Sequence, residues 1–475
     1  MIKQNRPSLR SRFILLPVIA AILGYVGIST RAGEERAGGA AKYTLAAVPH
    51  GGPPAPRSGN SPSPQPAPAT PEAPKPASAV KRDPAPVGQG MPVFDDIMVE
   101  ALKARGIPGG ALAIAKDGKL LLARGYGLAN VQTREPVTLD TLFCTANVSK
   151  TITAVAVLHL VDLGKLSLDD PVYPLLGKPR PLGQPAIDPR IEKITLRHLL
   201  LHAGGWNPKY HSDVLRQTRK ISRAAAEKLP LSADTVLRYG LSQPLDFTPG
   251  GETHYSNFGY FLAKVLVQRS ARQPYETYVR QQVLRPMGIS EMRMEQLAPA
   301  YAAREAHRYG SGGREFAGGR EAIAAPAGHW LASVVDLARF LTAVSGARGK
   351  PFLGSAVREQ MFAPPAPPLP PRRSGSHVGL GWDAVSEEAR GIQFHKGGAA
   401  AGVRAHIEHR SDGIDWVLLL NSDGQMPDQP PAVGEIVDKI RQALDATRDW
   451  PDRNLFDPPA TAPAAKQKAS GSVVL

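Results

Sequence analysis

Three short groups of residues in this 475-residue chain carry side chains suited to proton transfer and polar recognition. Asn147 and Lys150 stand three residues apart at the start of an apolar stretch. In a helix this spacing places both side chains on one face, where a lysine amine can accept or relay a proton. The other two groups, which add a phenol, an amide and further nitrogen donors, are Tyr255-Ser256-Asn257 and His395-Lys396-Gly397-Gly398.

Regular elements must hold these groups in place. Hydrophobic periodicity, capping residues and turn residues predict helices over 95–105, 149–163 and 435–444, and strands over 111–115, 120–126, 403–408 and 416–420. Asp95 is predicted to cap the first helix and Gly164 to end the second. Asp117-Gly118 predicts a tight hairpin between the first two strands. Strands at both ends with helical sequence between them predict an α+β fold, in which an antiparallel sheet is flanked by terminal helices and carries an inserted helical region.

The segment 142–151 resembles the start of the nucleophile helix in the serine β-lactamase and penicillin-binding-protein superfamily. The most similar branch is the class C β-lactamase-like group, which includes D-Ala-D-Ala carboxypeptidases, D-aminopeptidases and esterases. Further blocks at 195–202, 249–260, 333–341 and 395–398 follow in the family order. The resemblance covers 93–450 and implies one β-lactamase-related domain that hydrolyses amide or ester bonds. β-Lactams, D-amino-acid peptides and esters all stay open as substrates, because the expected cleft loops at 206–248 and 299–325 have no family pattern.

The resemblance also implies roles for the first two groups. Members of the family combine a Ser-x-x-Lys motif with a Tyr-x-Asn motif. Lys150 takes the lysine role and Tyr255 the phenol role, with a pKa lowered by the neighbouring lysine. Asn257 takes the role of the amide that holds the substrate.

The third family motif is Lys-Thr-Gly or His-Thr-Gly on a strand that lines the cleft. The resemblance gives His395 and Gly397 the first and last of these positions, and Gly398 then offers its N–H to an oxyanion hole. Lys396 stands where threonine is usual. It is either an exposed strand charge or a residue that recognises a substrate carboxylate.

The chain departs from the family at the nucleophile, because Asn147 stands where the resemblance implies serine. Ser149 points about 200° around the helix from position 147, and Thr145 and Cys144 are too far from Lys150 in sequence to replace the nucleophile. Three interpretations stay open. The chain is a non-catalytic relative that binds a peptidoglycan-like or β-lactam ligand or acts as a scaffold, an enzyme that uses water activated by Tyr255, or a single-residue variant of an active hydrolase.

Metal and cofactor chemistry is not expected. His198 and His202 are four residues apart on a predicted helix, a spacing that can bind zinc, but no third ligand follows at a suitable spacing. His406 and His409 are three apart on a predicted strand and therefore point to opposite faces. The single cysteine, Cys144, excludes an intramolecular disulfide and predicts a small buried apolar side chain.

Composition and the chain ends suggest an exported protein. The net charge of +15 is diffuse, with no zinc-finger spacing or dense basic run in the body, so nucleic acid is not an expected partner. Basic residues before an apolar run predict a signal peptide or N-terminal membrane anchor over 1–30. A proline- and alanine-rich disordered spacer is predicted over 31–92 and a disordered tail over 451–475. A periplasmic or extracellular location follows, with a small-molecule or peptidoglycan-like substrate.

Overall fold

The computed structural model describes residues 90–183, 186–210, 213–295, 301–310, 313–316, 329–369, 375–424 and 432–456. Its strands, numbered in chain order, are β1 Gly109–Lys116, β2 Lys119–Asn130, β3 Glu135–Pro136, β4 Phe143–Cys144, β5 Arg293–Met294, β6 Trp330–Ala332, β7 His377–Gly379, β8 Trp382–Glu388, β9 Gly391–Ala400, β10 Val403–His409 and β11 Ile414–Leu420. Its α-helices are α1 Pro92–Ala104, α2 Val148–Asp162, α3 Val172–Leu175, α4 Leu196–Leu200, α5 Thr218–Ala225, α6 Ala233–Leu241, α7 Asn257–Ala271, α8 Tyr275–Tyr278, α9 Val334–Ser345, α10 Ser355–Phe362 and α11 Ala432–Ala446. The predicted α+β class is confirmed.

Both ends of the domain build one antiparallel sheet in the order β3-β2-β1-β11-β10-β9-β8-β7. The hairpin predicted at Asp117-Gly118 joins β1 and β2, and both turn residues have positive φ, 49° and 77°. Strand β1 then pairs with β11 from Gly110 opposite Leu420 to Lys116 opposite Ile414. This pairing closes the fold and places the helical region, as predicted, between the N-terminal and C-terminal strands.

The sheet is covered on both faces, which explains why its central strands are apolar throughout. In β1, Ala111, Ala113 and Ala115 face the inserted helices, whereas Leu112 and Ile114 face a second core formed with α1 and α11. The small side chains lie on the face towards the helical region. The large ones fill the space beneath the two terminal helices.

Helix α1 begins three residues before the predicted cap, with Pro92 in its first turn. Proline suits this position because its ring fixes a helical φ and its missing N–H has no partner there in any case. Asp95 is therefore not a cap. It is buried inside the helix, where it forms an ion pair with Arg124 and accepts a hydrogen bond of 2.8 Å from the hydroxyl of Tyr126.

The inserted region packs α2 against α7 beneath the sheet. Helix α2 is buried along most of its length, and the chain leaves it at Gly164 with a φ of 66°, as predicted. A small sheet in the order β4-β6-β5 lies at the N-terminal end of α2. It fixes the strand that leads into that helix. The expected loop over 206–248 contains α5 and α6.

The folded chain extends past the predicted boundary of the C-terminal tail. The backbone N–H of Leu455 donates to the carbonyl of Leu120 at 2.8 Å, and Phe456 is buried. Residues 451–456 therefore belong to the domain. The predictions for 1–30, for 31–89 and for 457–475 concern residues outside those described. Among the helices that are described, none is both long and apolar enough to cross a membrane.

Candidate active site

Asn147 and Lys150 come together at the N-terminal end of α2. Strand β4 leads into the helix through Ala146, whose φ of 45° turns the chain sharply. Nζ of Lys150 lies 3.1 Å from Oδ1 of Asn147, the neighbour predicted by the three-residue spacing. The same amine donates to Oδ1 of Asn257 at 2.7 Å, so the first two sequence motifs meet at Lys150.

The Asn147 amide bridges the helix and the sheet. Its Oδ1 accepts from Lys150, and its Nδ2 donates to the carbonyl oxygen of Ala399 in β9 at 3.2 Å. An amide offers no hydroxyl or thiol to attack a carbonyl carbon. The Asn147 side chain therefore binds the edge of β9 and cannot act as a nucleophile.

Neither Ser149 nor Cys144 replaces the missing nucleophile. The hydroxyl of Ser149 is buried, lies 2.9 Å from the hydroxyl of Thr145 and accepts the backbone N–H of Trp330 at 2.9 Å. It ties α2 to β6. Cys144 is buried beneath the turn, as the sequence predicts.

Lys150 is electrostatically suited to act as a base. Burial lowers its pKa to about 7, with a further lowering by the Lys396 cation, against the opposing carboxylates of Asp213 and Asp383. About half of the amines are then neutral at neutral pH, compared with a few in ten thousand for an ordinary lysine. An amine in this state can take up a proton.

The pKa of Tyr255 is shifted in the direction opposite to the predicted one. Its pKa is raised, first by burial and then by the carboxylate of Asp383, although 38% of the residue is exposed at the cleft. Nζ of Lys150 lies over the ring, 5.0 Å from its centroid. The predicted lowering of the Tyr255 pKa is therefore wrong, because the loss of solvent and the carboxylates of Asp383 and Asp213 outweigh the opposing Arg216 cation. A phenol with a raised pKa stays protonated at neutral pH, so it holds a proton to donate and is not available as a base.

His202 supports Tyr255 and is not half of a metal pair. Helix α4 ends at Leu200, so His202 leaves the predicted helix and adopts a φ of 59°. Its ring packs 4.5 Å from that of Tyr255, and its Nδ1 accepts the backbone N–H of Ser256 at 3.2 Å. Burial, together with the Lys396 and Lys150 cations, holds its pKa well below the usual range. The imidazole is neutral and serves as packing.

In β9 the residues that face the cleft are displaced by one position from those that the resemblance implied for the third motif. Lys396 faces the cleft side, with Nζ 2.6 Å from Oδ1 of Asp383 and 5.7 Å from the centroid of the Tyr255 ring. His395 lies on the other face of the sheet, where its ring stacks at 5.5 Å on that of His406. Since successive strand residues point to opposite faces, only one of the two can line the cleft. The third motif is thus Lys396-Gly397-Gly398.

Lys396 is neither an exposed strand charge nor free to bind a substrate carboxylate, the two roles that the sequence left open. It is 1% exposed and its charge is paired with Asp383, so it is no surface charge and its amine is already occupied. It acts on Lys150 through its positive charge. Asp383, thirteen residues earlier in the chain, was missed because carboxylate–lysine pairs at such spacing have no sequence signature.

The displacement by one residue also changes which backbone N–H group of β9 can contribute to an oxyanion hole. The N–H of Gly397 donates to Oδ2 of Asp383 at 2.9 Å, away from β10. Backbone groups alternate sides along a strand, so the N–H of Ala399 faces the cleft as well, and that of Gly398 faces its partner Ala405. Gly398 has a different role. A Cβ there would lie 2.6 Å from the carbonyl oxygen of Thr145, so glycine is what lets β9 approach the turn before α2.

Asn257 holds the lysine instead of a substrate in this structure. It is the first residue of α7, and its backbone N–H donates to Oδ2 of Asp213 at 2.8 Å. Ser256 caps the helix by accepting the N–H of Gly259 at 3.1 Å. Tyr255 therefore precedes the helix and Asn257 begins it, which places both beside Lys150.

A pocket opens next to Tyr255. It is lined by Trp206, Asn207, Pro208, Asp213, Val214, Gln217, Gln243, Pro244, Asp246, Tyr255, Ser256 and Phe258. The indole Nε1 of Trp206 is buried and has no hydrogen-bond partner within the described part of the chain. A buried donor of this kind is stabilised when a ligand oxygen reaches it.

Comparison with known proteins agrees with this architecture. The Beta-lactamase family model matches residues 94–438, so the chain belongs to the β-lactamase family. Esterase EstB of Burkholderia gladioli is 32% identical over 201 residues, which cover 42% of this chain and 50% of the esterase. The chain thus spans about half the length of this relative.

Two solved structures share the fold. The octameric penicillin-binding protein homologue from Pyrococcus abyssi aligns with a TM-score of 0.59 at 24% identity, covering 74% of this chain and 77% of that one. The D-amino acid amidase from Ochrobactrum anthropi, complexed with L-phenylalanine amide, aligns with a TM-score of 0.58 at 20% identity, covering 74% and 97%. At these identities the likeness establishes the fold.

Proposed function

We propose that this β-lactamase-family chain binds small amide or ester carbonyl compounds in its cleft and does not form an acyl-enzyme with them. The observation that carries the proposal is the Asn147 side chain. It stands in the nucleophile position and has both ends hydrogen-bonded, to Lys150 and to Ala399. Without a hydroxyl at this point, covalent transfer of an acyl group to the protein has no acceptor.

The recognition apparatus supports binding. The strand edge at Ala399 offers an N–H group to a ligand oxygen, and Trp206 lines the pocket beside it. One relative is named as an esterase and one structural neighbour as a D-amino acid amidase, which suggests esters and amides as ligands. Peptidoglycan-like peptides are the larger ligands that we include in the proposal.

A second candidate is direct hydrolysis by water. The observation that favours it is Lys150, whose pKa of about 7 makes it a competent general base. This assigns to Lys150 the part that the sequence suggested for Tyr255. Tyr255, with its raised pKa, would instead protonate the leaving group.

One set of assays separates the two functions. The full chain is incubated with a fluorescent penicillin, nitrocefin and p-nitrophenyl acetate, and ligand binding is followed by quenching of tryptophan fluorescence. The binding function predicts saturable quenching that Trp206→Phe weakens, with no covalent label and no turnover. Turnover without covalent label, abolished by Lys150→Met and by Tyr255→Phe, would establish the water mechanism. A covalent label on the wild-type chain, or no binding of any of these compounds, would contradict the proposal.

The proposal includes an exported location, periplasmic or extracellular. It is supported by the basic and apolar residues of 1–30 and by the proline-rich sequence that follows. Fusion of 1–92 to alkaline phosphatase, which is active only after export, tests it. Activity that disappears when 1–30 is deleted is expected, and equal activity without that segment would refute export. Membrane extraction of the uncleaved fusion then distinguishes an anchor from a signal peptide.

A further inference from the structure

A second cluster of reactive side chains lies beneath the cleft, apart from Lys150. Cys144 belongs to β4, Glu295 directly follows β5 and His329 directly precedes β6. Each residue thus lies in or directly beside a different strand of the small sheet. Backbone pairing fixes them, because Cys144 lies opposite Leu331 and the N–H of Glu295 donates to the carbonyl of His329 at 2.8 Å.

The donor atoms of these three side chains converge. One ligand atom from each of Cys144, Glu295 and His329 lies within 4.8 Å of the other two. Nδ1 of His329 is 3.7 Å from Oε2 of Glu295. Ligands of a tetrahedral zinc ion, bound at about 2.0–2.3 Å, stand about 3.3–3.6 Å apart. A contraction of at most about 1.5 Å would bring the cluster to that geometry.

We propose that Cys144, Glu295 and His329 form a binding site for a divalent transition metal of the zinc class. One sulfur, one nitrogen and one oxygen donor form a set that Zn²⁺ accepts, with a fourth position left for water or hydroxide. The site is distinct from the acyl-transfer machinery and does not depend on the proposed function.

Contacts around the cluster orient two of the proposed ligands. Nδ1 of His329 is buried and has no hydrogen-bond partner among the described residues, although it faces the other two donors. Arg308 pairs with the other carboxylate oxygen of Glu295, the kind of contact that fixes a metal-binding carboxylate.

The location gives the metal a structural consequence. Cys144 is three residues before Asn147 and packs with Ala146 and Val403, at the hairpin that follows the cleft strand β9. A metal would clamp β4, β5 and β6 beneath this turn. Binding should therefore stabilise the domain, since a ligand that binds only the folded state adds its binding free energy to folding.

Cobalt titration of the reduced, tag-free full chain tests the site. Co²⁺ bound by a thiolate absorbs in the near ultraviolet, and the chain has a single cysteine, so any such band reports Cys144. The expected result is saturation at one equivalent, loss of the band in Cys144→Ser, and binding weakened by about 10-fold or more in His329→Gln and Glu295→Gln. His254→Gln is the matched control, because His254 and Glu252 form a pair at 2.7 Å in the absence of a cysteine. This control should titrate as wild type.

Protection of the thiol provides a test that needs no variant. Zn²⁺ at saturation should slow the reaction of Cys144 with a thiol reagent by about 10-fold or more, and chelator should restore the rate, because a metal-bound thiolate is withdrawn from attack. Equal rates with and without Zn²⁺, or no thiolate–cobalt band in the wild-type chain, would overturn the proposal. A band unchanged by His329→Gln and Glu295→Gln would show a lone thiol collecting metal, and would overturn it as well.

Discussion

Replacing Asn147 by serine should restore acylation of this protein. The serine hydroxyl would stand at the start of α2, where Nζ of Lys150 now lies 3.1 Å from the Asn147 amide oxygen. The shorter side chain would also release the carbonyl of Ala399, which Nδ2 of Asn147 now occupies. One substitution therefore supplies a nucleophile beside a base and opens the strand edge to the ligand.

The pKa of Lys150 sets the expected rate and its pH dependence. A pKa of about 7 leaves half of the amines neutral at pH 7. An ordinary lysine would be about a thousandfold less available as a base at that pH. Acylation of the serine variant should thus proceed at about half its maximal rate at pH 7, level off about one unit higher, and fall about tenfold per unit in more acidic solution.

Labelling with a fluorescent penicillin between pH 5.5 and 9 measures this profile. Asn147→Ala is the matched control, because it opens the same space without adding a hydroxyl, and it should stay unlabelled. Adding Lys150→Met to the serine variant should abolish labelling by removing the base. A folded serine variant that binds the penicillin and never becomes labelled would refute the geometric argument. A profile centred above pH 9 would refute the assignment of Lys150 as a base with a lowered pKa.

Three further results are expected. Lys396→Met should move the midpoint of that pH profile towards alkaline values, because the Lys396 cation helps to lower the pKa of Lys150; an unchanged midpoint would exclude this coupling. Lys150→Met should raise the free energy of unfolding in urea by at most about 4 kcal/mol at pH 7, because the folded chain holds at a pKa of about 7 an amine whose ordinary pKa is 10.5. Loss of the hydrogen bonds from Lys150 to Asn147 and Asn257 reduces this gain. The gain should persist below pH 7 and disappear as the pH rises to 10.5, where the amine of the unfolded chain also becomes neutral, and a constant gain would contradict this reasoning. Gly240→Ala should destabilise the domain by about 1–3 kcal/mol, because its Cβ would overlap the ring of Phe258, whereas Gly434→Ala, which meets nothing within 4 Å, should be neutral or stabilising in thermal melts.

Local sequence signals were sufficient for the framework of the fold. The Asp117-Gly118 hairpin, the end of α2 at Gly164 and the strands that close the sheet all depend on residues that are near one another in the chain. The helix start at Asp95 was wrong because a carboxylate near a helix N-terminus is typical of a cap. Here its partners are Arg124 and Tyr126, and no local pattern reveals them.

The part of the site that lies within one helical turn was predicted from the sequence. The contacts between residues far apart in the chain were missed. The three-residue spacing is enough to bring Asn147 and Lys150 together. Neighbouring polar residues in β9 gave no indication of which faced the cleft, because that depends on the pairing of β9 with β8 and β10. The sign of the Tyr255 pKa shift likewise depends on burial and on Asp383, which is 128 residues away in sequence.

The sequence by itself indicated the family and the α+β class, because short motifs and periodic segments follow one another in a fixed order along the chain. The tertiary structure alone decided that Lys396 and not His395 lies under the cleft, that the pKa of Tyr255 is raised and not lowered, and that Cys144 meets Glu295 and His329. The physical reason is the same in each case. Strand register, desolvation and the convergence of side chains arise only when segments far apart in the chain pack against one another.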